Sequence, residues 1–296
     1  MPPTLISRLS FLLPIFSALF AVVIISTCVA LAKQHGHVPP FIRYPPISLA
    51  GIEPPEYALF ASGFACISAL LWACEALFWA SFSPRLPPPS PALAALGLHP
   101  ARWAARLGFL GLAVTGVVPL QGWGELATLA HVTGSLAFFA ASLHHGYTFC
   151  VALSSAALAG HPLHSARRPW LWRAKAAMLA NGFCSFLPAQ LLHPGGSPVA
   201  PHAGGPEAAE LDRGGFAQWW MVGSLVAYYS LFSVDLYLLA REGGGLAEAG
   251  GEAAQLRERV RRLKELLARS EERLAAVGGE ARVGGEPAAE TRNKQA

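Results

Sequence analysis

Hydrophobic positions in this chain gather in six stretches with few charges, residues 9–32, 58–82, 103–120, 126–156, 170–192 and 216–240. About 20 apolar residues in a helix cover the roughly 30 Å of a bilayer's hydrocarbon, so each stretch predicts a membrane-spanning helix. Proline and glycine punctuate the intervals, at 39–55, 84–100, 122–124, 160–169 and 194–215. Links this short predict antiparallel packing of consecutive helices. Ala30-Leu31-Ala32 has the small-x-small form of a signal cleavage site. The apolar part of a signal peptide is only about 7–15 residues long, and the first stretch is therefore read as a retained helix.

Past Arg241 the pattern changes. Leu256, Val260, Leu263, Leu267, Leu274 and Val277 recur at spacings of four and three, with Ser270 in the missing place and Arg and Glu between them. This is a heptad stripe, and it predicts an amphipathic or coiled-coil helix within 241–277. Residues 278–296 have no periodicity and are expected to be disordered. The domain reading is a transmembrane domain over 1–240, a helical segment over 241–277 and a tail.

Composition sharpens this picture. The chain has 296 residues, 53% of them hydrophobic and 14% charged, against about a quarter charged in a soluble domain. The deficit predicts a surface that faces lipid. A net charge of +4 is too small to make nucleic acid the partner. The five cysteines all lie inside apolar stretches and read as packing residues, not a disulfide framework.

Lysine and arginine set the orientation. Arg85, Arg102, Arg106, Arg167, Arg168, Arg173 and Lys175 fall on one side of a six-helix topology, with Arg8 and Arg241 flanking the same side. The other side holds Lys33, Arg43 and Arg213. The positive-inside rule then places both termini in the cytoplasm.

The first link is the richest in candidate chemistry. It runs from Gly36 through His37, Pro40, Phe41, Ser48 and Gly51 to Pro54, Pro55 and Glu56, with six prolines in all. Prolines fix φ and lower the entropy of the unfolded link, so it is expected to hold a definite shape, either as a rigid cap or as a binding surface. Gly51 is expected to permit a turn closed to other residues, and Pro54-Pro55-Glu56 suits a helix start. His35 and His37 offer two metal ligands, but no third is placed nearby by the sequence and a site needs three or four. No metal and no cofactor is therefore expected. His131, His144 and His145 share one helix without histidines on a facing helix, which argues against haem.

Ionisable groups inside a membrane are functional candidates. Glu75 is within reach of Arg173 across the bundle, and Asp235 within reach of Arg106. Either pair reads as a bundle-locking ion pair or, for Glu75, as part of an ion path. His131 reads as a packed imidazole, with proton sensing by it or by His37 as the alternative. Asn181 reads as an interhelical hydrogen-bonding group. There is no nucleophile elbow, phosphate loop or zinc-type Cys/His spacing, and no enzyme is expected.

Gly36-His37-Val38-x-Pro40-Phe41, followed by Ile47-Ser48-x-x-Gly51-x-x-Pro54-Pro55-Glu56, resembles the signature first loop of the damage-regulated autophagy modulator (DRAM) family. His131, Gly134, Ala137 and Phe138 resemble that family's histidine-containing helix, and Arg173 and Asp235 fit its pattern. The resemblance covers about residues 9–240. Leu49-Ala50 replaces the usual acid before the turn glycine, Gln218 stands where an acid opens helix six, and the heptad tail is extra.

The resemblance implies a six-helix membrane protein without catalytic residues. One branch of the family is lysosomal and promotes autophagy. A second sits at the plasma membrane and affects phosphoinositide-kinase recruitment and lipid asymmetry, and distant relatives remodel GPI-anchor lipids in the Golgi. The first loop looks closest to the first branch. The expectation is a non-enzymatic modulator of autophagy and lysosomal function in the endolysosomal membrane, with a lipid-handling factor of the Golgi or plasma membrane as alternative. Its partners would be the bilayer and either a protein or a second copy held by the heptad helix.

Overall fold

Each apolar stretch is helical, the form in which a single segment satisfies its own backbone hydrogen bonds. The computed structural model describes residues 10–118, 120, 125–191 and 206–241. Helix α1 is Leu13–Gln34, entered through a 3-10 turn at Ser10–Leu12. Helix α2 is Glu56–Phe82, α3 Leu98–Val117, α4 Glu125–Ser154 and α5 Pro169–Leu191. Helix α6 is Pro206–Ser230 and, after a turn at Leu231, helix resumes over 232–241. All regular structure among the described residues is helical.

Sequence neighbours pack side by side, and α1 meets α6 to close the ring. The α3–α4 seam is the tightest. A Cβ on Gly111 would lie 2.6 Å from the Gly134 carbonyl oxygen, and one on Gly134 equally close to that of Gly111. Small residues allow such backbone approach where lipid offers no hydrophobic drive to pack. Phe78 anchors the interior, stacked on Phe82 and Phe232 and edge-on to Phe149. The outer surface is also apolar. Phe16, Leu19, Val23, Leu107, Leu129 and Phe183 are exposed, an arrangement costly in water and ordinary in lipid. This is a membrane protein.

Four helical segments among the described residues are long and apolar enough to cross a membrane, Ser10–Gln34, Glu56–Arg85, Glu125–Ser154 and Ala208–Arg241. Helices α3 and α5 fall outside this set. Helix α6 begins ten residues before its apolar run, because Glu207, Glu210 and Asp212 extend it with a polar segment. The chain divides into units Met1–Arg241 and Glu242–Ala296. The second unit, with the expected heptad helix and tail, lies outside the described residues.

Candidate functional site

The first link is folded, and its apolar residues form a small core of their own. Val38, Ile42, Leu49 and Ala50 are buried together with Ala32 of α1 and Leu211 of α6. The link's backbone also needs partners, and the polar start of α6 supplies them. Tyr44 N–H donates to Asp212 Oδ1 at 2.6 Å, Ile47 N–H to Gln218 Oε1 at 2.7 Å, and the Trp219 indole N–H to the Pro45 carbonyl at 2.9 Å. Gln218, an amide where the resemblance expects an acid, still presents the oxygen acceptor this contact uses.

Ser48 and His131 fasten the link to α4. His131 Nδ1 lies 2.7 Å from the Val118 carbonyl and Nε2 lies 2.9 Å from Ser48 Oγ. A carbonyl only accepts, so Nδ1 carries the proton and Nε2 accepts from the Ser48 hydroxyl. His131 is buried, and its contacts are those of a satisfied imidazole. Pro40, Phe41, Pro54 and Pro55 are exposed on the link's outer surface.

Gly51 corrects the expectation of a turn closed to other residues. Only Gly36 and Gly97 have positive φ among the described glycines. A Cβ on Gly51 would fall 2.3 Å from the Phe60 ring, so packing space, not backbone freedom, selects glycine there.

Glu56 is the third group that the sequence did not place beside His35 and His37. Its carboxylate is 1% exposed, with Oε1 2.5 Å from His35 Nδ1 and Oε2 3.1 Å from His37 Nδ1. The end of α1 and the start of α2 are adjacent in space though about twenty residues apart in sequence. The expectation that only two ligands meet here is thus corrected.

Against the link lies a partly open apolar cavity of about 80 Å³, bordered by Ile47, Ser48, Phe64, Phe138 and Tyr229. A larger apolar groove of about 720 Å³ opens between α4 and α5, lined by Leu143, Tyr147, Trp172, Leu179 and Phe183.

The buried charges pair differently from the sequence expectation. Glu75 receives Arg102 Nε at 3.2 Å and Arg106 Nε at 3.1 Å. These arginines are four apart on α3 and so share a face, a signal the sequence held. Their guanidinium groups also lie over Trp79, Trp72 and Trp103, at 5.0–5.6 Å from the ring centroids. Arg173, the expected partner of Glu75, is exposed. Lys175, two residues on and therefore on the opposite face of α5, turns inward to a fully buried ion pair with Asp235, the residue expected near Arg106. Phe149, Tyr228 and Phe232 surround the ammonium at 4.8–5.7 Å. Asn181 bridges α5 and α6 through Ser224 and Trp220.

A family model described as the Frag1/DRAM/Sfk1/Cwh43P N-terminal domain matches residues 9–239. Neither a curated protein nor a solved structure matches the chain.

Proposed function

The chain belongs to the Frag1/DRAM/Sfk1/Cwh43P family, and on that premise we propose that it is a DRAM-like, non-enzymatic modulator of autophagy in the endolysosomal membrane. The observation that carries the reading is the first link. Its motif residues are used to build a fixed cap, with Ser48 on His131 and the backbone of Tyr44 and Ile47 on Asp212 and Gln218. A cap with Phe41 and Tyr44 exposed is a surface for a partner.

Six spans with both termini cytoplasmic belong to the same proposal. Helix α3 has 20 residues and α5 has 23, about 30 Å or more at 1.5 Å per residue. Three of the four charges that lower their hydropathy are met inside the bundle, Arg102 and Arg106 by Glu75 and Lys175 by Asp235, and the fourth, Arg173, is exposed one turn from the start of α5. The heptad segment beyond Arg241 would then be a cytoplasmic handle for a partner or a second copy.

A lipid-handling role is the second reading, and the α4–α5 groove favours it. Its volume falls within the roughly 300–1,000 Å³ of ligand sites, and its apolar walls suit an acyl chain. A tagged full-length copy decides between the two. Residence with lysosomal markers, together with altered turnover of a lipidated autophagosomal marker on deletion, supports the first. Golgi or plasma-membrane residence, with changed release of GPI-anchored proteins or changed phosphoinositide levels, selects the second.

A further inference from the structure

Helix α1 ends in a tight reversal. The His35 N–H donates to the Leu31 carbonyl at 2.9 Å, and Gly36 follows at φ 79°, a region that residues with a Cβ rarely adopt. A Cβ on Gly36 would meet nothing within 4 Å, so backbone conformation alone selects glycine. The reversal turns His35 and His37 towards the same carboxylate, with ring centroids 5.6 Å apart. The imidazoles are 37% and 30% exposed over a Glu56 carboxylate that is almost wholly covered.

We propose that His35, His37 and Glu56 form a binding site for a divalent transition cation of the zinc class. The ligands are the two Nδ1 atoms and one oxygen of Glu56, and the fourth position is open to solvent. The three ligand atoms lie within 4.8 Å of one another. A tetrahedral zinc with bonds of about 2.0–2.2 Å holds its ligands roughly 3.3–3.6 Å apart. His35 Nδ1 is 2.5 Å from Oε1 and His37 Nδ1 is 3.1 Å from Oε2, so the ring facing the ligating oxygen needs to open by about 1 Å or less and the other ring to swing from its own oxygen towards the ion, movements that two partly exposed imidazoles can supply. Each ring then carries its proton on Nε2.

The donor set selects the ion. Two imidazoles and a carboxylate suit zinc and its transition neighbours, whereas calcium and magnesium require six or more oxygens. Three protein ligands with one position left over is the open kind of zinc site. A dication also neutralises a carboxylate that burial has cut off from water. Once bound, the ion ties the last residues of α1 to the first of α2, and so holds both ends of the intervening link. The alternative is a metal-free arrangement in which each imidazole donates Nδ1–H to one carboxylate oxygen.

The test uses the full-length chain in detergent, stripped with a chelator and titrated with zinc chloride against a chromophoric competitor. Bound metal is counted after desalting. We expect one zinc per chain and a saturable rise in Tm, because a ligand bound only by the folded state stabilises it. Calcium chloride should do neither. The chain has ten histidines, so the double variant H35A/H37A is the control. It should bind zinc at least about 100-fold more weakly, and E56Q should weaken binding in the same direction. Wild-type protein that elutes as a single species yet takes up no zinc at micromolar concentration overturns the site in favour of the hydrogen-bonded arrangement. Equal uptake by H35A/H37A overturns it by placing the metal elsewhere. Neither result touches the family assignment or the reading of the cap as a partner surface.

Discussion

Ser48 donates its hydroxyl to Nε2 of His131 at 2.9 Å, joining the first link to α4 across 83 positions of sequence. Because Nδ1 of the same ring donates to the Val118 carbonyl, one imidazole fastens two links at once. Replacing His131 with alanine leaves a half-buried carbonyl and a half-buried hydroxyl without this partner, at a cost of about 1 kcal/mol or more each. Ser48→Ala removes one donor and should cost about 1 kcal/mol. A double-mutant cycle on unfolding in detergent should show a coupling of about 0.5–3 kcal/mol; strictly additive losses would mean that the two side chains do not meet.

Helix α6 passes beneath the first link with almost no clearance. A Cβ on Gly215 would fall 1.7 Å from the Tyr44 carbonyl oxygen, whereas one on Gly223 would meet nothing within 4 Å. Gly215→Ala must push backbone from backbone and should cost about 1–3 kcal/mol or more. Gly223→Ala should be neutral or stabilising by a few tenths to about 1 kcal/mol. The Tm order Gly215→Ala, wild type, Gly223→Ala tests the crossing, and a Gly215→Ala protein as stable as wild type would refute it.

Lys175 and Asp235 are an ion pair from which water is excluded, ringed by Phe149, Tyr228 and Phe232. Removing one partner strands a charge, so Asp235→Asn or Lys175→Met alone should cost about 3–5 kcal/mol. Replacing both, as Lys175→Met with Asp235→Leu, removes the desolvation penalty together with the attraction and should recover most of that loss. Stability of the two single variants and the double variant in detergent gives the comparison. A double variant worse than either single would show that the pair holds the bundle by more than mutual neutralisation.

His161 confers a pH dependence. It follows α4, 3% exposed, with its ring 4.5 Å from that of Phe82 and its Nδ1 accepting the Leu163 N–H at 3.2 Å. Burial pushes its pKa down from the ordinary 6.5 to about 4, and the charge of Arg85, then those of Arg167 and His164, act in the same direction. The unfolded chain therefore takes up a proton that the folded chain refuses. The contribution is complete above pH 6.5 and is lost as pH falls towards 4, on the order of 3 kcal/mol in all. Tm should drop over this window, and His161→Phe should flatten the drop. Parallel profiles for the two proteins would remove His161 as the cause.

How far the fold could be read from sequence depended on where the signal lay. An apolar run announces α2 within two residues of its start at Glu56, because hydrocarbon demands apolar side chains on every face. The polar first turns of α6 carry no such signal, and Asp212 shows its purpose only once Tyr44 lies beside it. The partners of Glu75 were half-legible, since Arg102 and Arg106 share a helical face. Placing Glu56 between His35 and His37 needed the path of the intervening link, which local pattern does not encode. Gly51 looked like a turn residue and is a packing residue, because sequence shows a missing side chain without showing what fills its place.

Helices α3 and α5 decide the topology, and labelling from one side of the membrane can settle it. Their hydropathy falls below that of the other four, which taken alone gives four spans. But hydropathy charges each Arg or Lys the full cost of meeting lipid, and here Arg102 and Arg106 meet Glu75 while Lys175 meets Asp235, which leaves only Arg173, exposed one turn from the start of α5. With that cost largely offset, both helices can cross. In six spans the segments holding Ser90 and Ala166 lie on one side and Phe41 on the other. In four spans, with α3 and α5 not crossing, Ser90 and Ala166 fall on opposite sides. Single cysteines at these positions, in a background where the five native cysteines are serine or alanine, should react with an impermeant thiol reagent accordingly. Ser90 and Ala166 labelling together and Phe41 labelling from the other face gives six spans; Ser90 and Ala166 labelling from different faces gives four.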